Sequence, residues 1–205
     1  MRRMEIVVTG YAGADGSRKI FENGKCREKL LERYSESFLG MEWDSGKADG
    51  AGGTGQPAGK QPDDKQSAER KAYEDAFLLQ KEQGYAEDGQ DGGVLAALWR
   101  LLKKHKSGGS YALTAIPVRQ QTIEICETFG LNPYRLDAPS CRVWLTGDAA
   151  GLKKLTAAAG VPFAVIGYTA EGVGIWRTDT EVPSSLRRPE EDELWKILRP
   201  AETEL

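Results

Sequence analysis

Histidine is nearly absent from this chain: His105 stands alone in 205 residues. That scarcity argues against a histidine-dependent triad or a multi-histidine metal site. Cysteine is almost as rare. Cys26, Cys126 and Cys141 are scattered, odd in number and without a CxxC spacing, so neither a disulfide framework nor a zinc site is expected. Cys126 falls in a helical pattern and Cys141 at a strand start, where cysteine acts as a small hydrophobe. No apolar run approaches the ~20 residues of a membrane span. Residues 1–8 carry two arginines but only a brief apolar stretch, and read as a first strand rather than a signal peptide. Neither sign of charge dominates, with 28 basic and 31 acidic side chains mixed along the chain for a net −3. The basic stripe of a nucleic-acid binder is therefore missing. The densest basic run, Lys103 to Lys106, reads as a solvated helix C-terminus. There is no GxxxxGK[ST] and no GxGxxG opening a helix after a strand. Asp88 and Asp91 fail the calcium-loop spacing. A cytoplasmic protein without membrane or nucleic-acid partners is expected.

Strand and helix patterns alternate along the chain. Met4 to Thr9 is a β-branched strand, residues 10–16 a glycine loop, and residues 17–35 an amphipathic helix burying Ile20, Leu30, Leu31 and Tyr34. Residues 40–67 are rich in Gly, Asp, Lys, Gln and Pro. Such a stretch has too little apolar surface to offset its ordering entropy, so a disordered insertion is expected there. Helical pattern returns over 68–83 with Tyr73, Ala76, Phe77 and Leu79. Beyond a second glycine loop comes a helix ending at Lys104, then a strand over 111–115. Pro117 is placed to open a helix ending at Gly130. Residues 134–137 and 142–146 read as a strand pair, and Asp148 caps a helix to Ala159. Strands over 162–168 and 173–177 read as a hairpin, and a helix over 190–198 closes the chain. Trp99, Trp144, Trp176 and Trp195 all lie in amphipathic elements and are expected in the core. The sum is one α/β (α+β) domain over 1–205, a mixed β-sheet with packed helices, interrupted by the insertion.

The most informative stretch runs from Tyr85 to Trp99, where an acidic, glycine-rich loop leads into a helix with Val94, Leu95, Leu98, Leu101 and Leu102 on one face. Glycines allow close backbone approach, and a helix start offers unpaired N–H groups to an anion. One reading makes Asp91 an ordinary N-cap. The other makes Asp88 and the Gly92 and Gly93 amides the lining of a site for a phosphorylated ligand, with Asp88 acting through a ligand hydroxyl or through magnesium or another cation set between carboxylate and phosphate. The loop over 10–16 could likewise present amides to an anion at the helix from Ser17, or simply be a strand-to-helix turn.

Four segments together resemble a known family. Val7 to Ser17 is similar to the T-x-x-A-G-x-E-G-T segment of proteins related to aminoimidazole ribonucleotide (AIR) synthetase. Asp88 to Trp99 resembles their D-x-T-E-G-G-x-x-x-A-L-W segment, with Gln90-Asp91 where relatives have Thr-Glu. Ile116 to Tyr134 is similar to their I-P-(I/V)-R helix. Val165-Ile-Gly167 with Glu171-Gly172 resembles a later strand and turn. The superfamily includes a hydrogenase maturation factor, selenophosphate synthetase and thiamine-monophosphate kinase. The resemblance covers the C-terminal half of the family. It implies that domain's fold and an ATP-dependent activity, either phosphoryl transfer to a small molecule or ATP-driven dehydration. The magnesium-holding and ATP-binding half would come from a separate subunit, or a homodimer would cover the exposed face. ATP and Mg²⁺ then enter only with that half. Asp88, Asp91, Gly92 and Gly93 would touch phosphate or magnesium, and Gly13 and Gly16 would shape the adjoining wall. The chain ends without the cysteine that accepts the carbamoyl group in the hydrogenase factor, which disfavours that particular activity. Two alternatives stay open, a non-catalytic binding or regulatory module and a truncated remnant of a full-length enzyme.

Overall fold

A computed structural model of the protein describes residues 3–39 and 64–199. Its core is strand β1, Glu5–Thr9, in which Ile6, Val7 and Val8 are all fully buried. A continuous β-branched run suits a strand covered on both faces. β1 pairs antiparallel with β4 (Ala138–Thr146) on one side and with β5 (Phe163–Ala170) on the other. β2 (Ala86–Gly89) adds to β4, and β3 (Gly108–Tyr111) to β5. β6 (Ile175–Arg177) runs parallel to β3, and β7 (Ser184–Ser185) pairs with β6. The sheet is thus mixed, in the order β2-β4-β1-β5-β3-β6-β7.

Alternation along β1 sends its side chains to two faces. Ile6 and Val8 join Val143, Leu145 and Ile166 under helix α5 (Gly93–Lys104), whose Leu98, Leu101 and Leu102 are fully buried. Each such leucine contributes about 1.5–3 kcal/mol of burial. Val7 and Trp144 face Tyr73 and Phe77 of α4 (Asp64–Glu82) and the helix α7 (Ala149–Ala158). A third cluster joins α1 (Ala14–Glu22), α2 (Gly24–Leu31) and α6 (Gln120–Phe129) through Ile20, Leu30, Ile125 and Leu136. The short α3 (Glu36–Leu39) adds Leu39 to it. No helix among the described residues is long and apolar enough to cross a membrane.

The α/β architecture is as the sequence predicts, and Asp148 caps α7 by accepting the Gly151 N–H at 2.9 Å. Several boundaries differ. The helix expected over 17–35 begins at Ala14 and breaks at Asn23, whose extended backbone and side chain cap α2 instead. That break turns Leu31 outward. Of the expected insertion, residues 40–63 lie outside the described residues, while 64–67 already belong to α4.

The strand over 111–115 stops at Tyr111, and a 3₁₀ turn occupies Leu113–Ala115. Helix α6 starts at Gln120, beyond Pro117. The strand pair of 134–137 and 142–146 is a single strand, because Pro133–Arg135 coils into a 3₁₀ turn and β4 finds β1 and β2 as neighbours. No hairpin forms between β5 and β6. β3 lies between them, its Gly108 leaving room for the Gly174 backbone and its Gly109 N–H donating to the Gly174 carbonyl at 2.9 Å. The closing helix α8 shrinks to Trp195–Leu198. Trp176 and Trp195 are each 48% exposed, against the core position expected for them, because one sits near the sheet margin and the other on this short terminal helix.

Candidate functional site at the start of helix α5

The acidic-glycine stretch is only partly a loop. Residues 86–89 form edge strand β2, with Asp88 in register with Arg142 of β4. The turn proper is three residues in left-handed backbone, Asp91 (φ 52°), Gly92 (φ 96°) and Gly93 (φ 69°). Asp91 does not cap the helix. The N-cap position falls on Gly92, which has no side chain to offer. The turn is tied down from inside the helix, where Arg100 donates to the carbonyls of Asp88 (2.9 Å), Gln90 (2.9 Å) and Asp91 (3.0 Å).

The N–H of Gly92 donates to Asp192 Oδ2 at 2.6 Å. The other carboxylate oxygen of Asp192 accepts the N–H groups of Leu194 (2.8 Å) and Asp137 (3.2 Å). A carboxylate from the chain itself therefore sits where an anion would meet the start of α5. Burial raises the Asp192 carboxyl above its ordinary value, while its three amide donors pull the other way. Residues 186–191 pack over the same spot and leave a cavity of about 10 Å³ between Gly92, Ala96 and Arg135. That is room for roughly one water.

Asp88 is likewise committed. Its Oδ2 lies 2.6 Å from Lys81 Nζ and its Oδ1 accepts the Gln90 N–H at 3.3 Å. Among the described residues no group of three or more His, Cys, Asp or Glu stands where it would hold a metal ion. In this structure Asp88 is thus held by Lys81 and the Gly92 amide by Asp192.

The glycines share one neighbour. A Cβ on Gly13 would lie 2.6 Å from the Pro133 carbonyl, and one on Gly93 would lie 2.5 Å from that of Tyr134. On Gly16 it would meet Leu136 at 2.5 Å, and on Gly89 the Ala138 carbonyl at 2.7 Å. Gly16 also donates its N–H to the Asp137 carbonyl at 2.7 Å. Gly13, Gly16, Gly89 and Gly93 thus press against one segment, residues 133–138, whereas a Cβ on Gly92 would meet Ala96. Close approach is needed here by the protein's own backbone.

Sequence reasoning missed Asp192 and Arg100. Asp192 lies 100 residues from its Gly92 partner, and nothing local marks it among the charges near the C-terminus. Arg100 had a signal, since a cation two turns into a helix can reach back to the carbonyls of the turn before it.

No family model matches the chain, and no curated protein matches it in sequence. Solved structures do match in fold. Escherichia coli HypE, a hydrogenase maturation protein, superposes with a TM-score of 0.59 at 18% identity, covering 95% of this chain and 52% of that one. A second HypE structure gives 0.56 at 16% identity over 91% of this chain and 53% of that one. The chain carries the HypE fold. HypE solved in its complex with HypF gives 0.53 at 15% identity over 92% of this chain and 54% of that one. The chain spans about half the length of these HypE chains. The resemblance to AIR synthetase-related proteins therefore holds as a shared fold.

Proposed function

We propose that this chain is the C-terminal-type half of an AIR synthetase-related, ATP-dependent enzyme whose ATP- and magnesium-binding half is a separate polypeptide. The observation that carries this reading is the HypE fold, present across nearly the whole chain and about half of HypE. The chemistry is phosphoryl transfer to a small molecule or an ATP-driven dehydration. Phosphoryl transfer depends on metal and phosphate clamps. In this reading the partner half completes them. In the assembled enzyme Asp88, Asp91, Gly92 and Gly93 face the phosphates or their magnesium, with Gly13 and Gly16 shaping the adjoining wall. Lys81 and Asp192 must then yield their partners.

Those two engagements favour a second reading, a binding or regulatory module without catalysis. Isothermal titration with magnesium–ATP separates the readings. It is run on the purified chain and on the chain mixed with a polypeptide encoded beside it that carries an ATP-binding half. The split enzyme predicts no saturable binding by the chain alone, and ATP turnover in the mixture that falls when Asp88 is changed to Ala. A chain that joins no such half, or a mixture that binds and hydrolyses no ATP, refutes it. Tight magnesium–ATP binding by the isolated chain, lost in D88A, also refutes the need for a partner.

A further inference from the structure

Away from the α5 start, a cavity of about 230 Å³ opens between the beginning of α1, the face of α4 and strand β4. None of residues 88–93 lines it. Its wall holds four guanidinium groups, of Arg18, Arg70, Arg119 and Arg142, against the two carboxylates of Asp15 and Glu74. Both carboxylates are already in use. Asp15 Oδ2 accepts the Ser140 N–H at 2.9 Å and the Ser140 hydroxyl at 2.6 Å, while Glu74 pairs with Arg142 Nη2. Arg18 is partly matched by Glu22 at 3.8 Å. Guanidinium groups outnumber carboxylates among these lining residues.

Arg142 is the decisive group. It interrupts an otherwise apolar stretch of β4, and its side chain is only 10% exposed. The guanidinium lies over the Phe77 ring at 3.9 Å and the Tyr73 ring at 4.8 Å. Nη2 has the half-exposed Glu74, but Nε and Nη1 are shielded from solvent and have no hydrogen-bond partner among the described residues. Burying charged donors without acceptors is unfavourable, whereas a guanidinium in a cavity wall is well suited to a planar anion. Tyr11, under the Arg119 guanidinium at 4.5 Å, lines the same space together with Val161 and Pro162, giving it flat and apolar surface beside the charge.

We propose that this cavity binds a small organic anion, a phosphate monoester or a carboxylate, through Arg142 and Arg70. Its volume lies below the roughly 300 Å³ at which sites for drug-sized ligands begin, which suits a compact anion and not a nucleoside triphosphate. The site does not depend on an ATP-binding partner, so it stands or falls separately from the split-enzyme reading.

The test is isothermal titration of the full chain with phenyl phosphate, benzoate and magnesium–ATP, none requiring a second polypeptide. Saturable binding of phenyl phosphate or benzoate is expected, and the tighter of the two assigns the anion class. R70A, at a half-buried position of α4, is expected to weaken that binding about tenfold, and R142M to weaken it at least as much. E74Q releases Nη2 and is expected to tighten binding severalfold, a direction that loss of structure would not produce. If R142M fails to fold by circular dichroism, R70A and E74Q decide. Absence of saturable binding by either aromatic anion at millimolar concentration overturns the proposal. So does equal affinity in wild type, R70A and E74Q, or ATP binding as tightly as the small anions.

Discussion

Replacing Gly93 by Ala tests whether the glycine turn is built for packing or for a ligand. Gly93 has φ +69°, and an added Cβ would lie 2.5 Å from the Tyr134 carbonyl oxygen and within 2.9 Å of the Arg135 backbone. Gly130, at the end of α6, provides the control: its φ is +64°, but a Cβ there meets nothing within 4 Å. Left-handed backbone costs an alanine about 1–2 kcal/mol, and the stiffer unfolded chain returns roughly 0.4–1 kcal/mol. G130A should therefore lose only about 0.5–1 kcal/mol. G93A carries the same term plus an overpacking cost of about 1–3 kcal/mol, because backbone must move. Its loss should be roughly 2–4 kcal/mol, a large part of the ~5–15 kcal/mol that holds a domain folded. Urea unfolding of both variants measures the difference, read from midpoints at unchanged m. Equal losses would refute the reasoning. They would mean that residues 134–135 yield freely, leaving Gly93 to be explained by what approaches it from outside.

Asp192→Ala strands three amide donors, and the expected loss is about 2–4 kcal/mol. Hydrogen exchange at Gly92, Asp137 and Leu194 should quicken together, and unchanged rates at all three would contradict the arrangement. Cys126 and Cys141 are buried, and native protein at neutral pH should leave both unmodified by a thiol reagent until urea is added. Burial pushes the Cys126 thiol up to about 12, and nearby Glu193 adds to the rise. The folded state then keeps a proton that the unfolded chain releases above the ordinary thiol value. Stability from this group is complete below that value and declines as pH rises toward 12, by about 1.4 kcal/mol per pH unit. Thermal melts between pH 8 and pH 10 should show a smaller alkaline loss in C126A than in wild type, and parallel curves would count against the assignment.

The elements most legible in the sequence were those whose signal is local. The β-branched run Ile6-Val7-Val8 could only be a covered strand, the five apolar positions of α5 recur at helical spacing, and Asp148 sits just before its helix. What escaped depends on distant partners. Residues 86–89 look like loop because Glu87, Asp88 and Gly89 are poor strand formers, yet β4 supplies the ladder. The hairpin expected of β5 and β6 fails because β3, more than fifty residues earlier, takes the place between them. At the α5 start the glycine pattern was visible, but the same pattern serves a ligand or a neighbouring backbone. The approach of Tyr134 and Arg135 to Gly93 has no local signal. Arg142 was a missed clue, a charged residue set between apolar neighbours in a buried strand.

The two margins of the sheet bear on how this chain meets another. β2 is four residues long and carries Glu87 and Asp88, while β7 has only Ser184 and Ser185. Short borders with paired acidic side chains make poor templates for a foreign strand. A protein joining this one should not continue its ladder. Contact should instead be made side chain to side chain, across surfaces such as those bearing Trp176 and Trp195. Recognition would then be set by shape and charge at those surfaces, and the association should respond to surface substitutions while leaving backbone pairing intact.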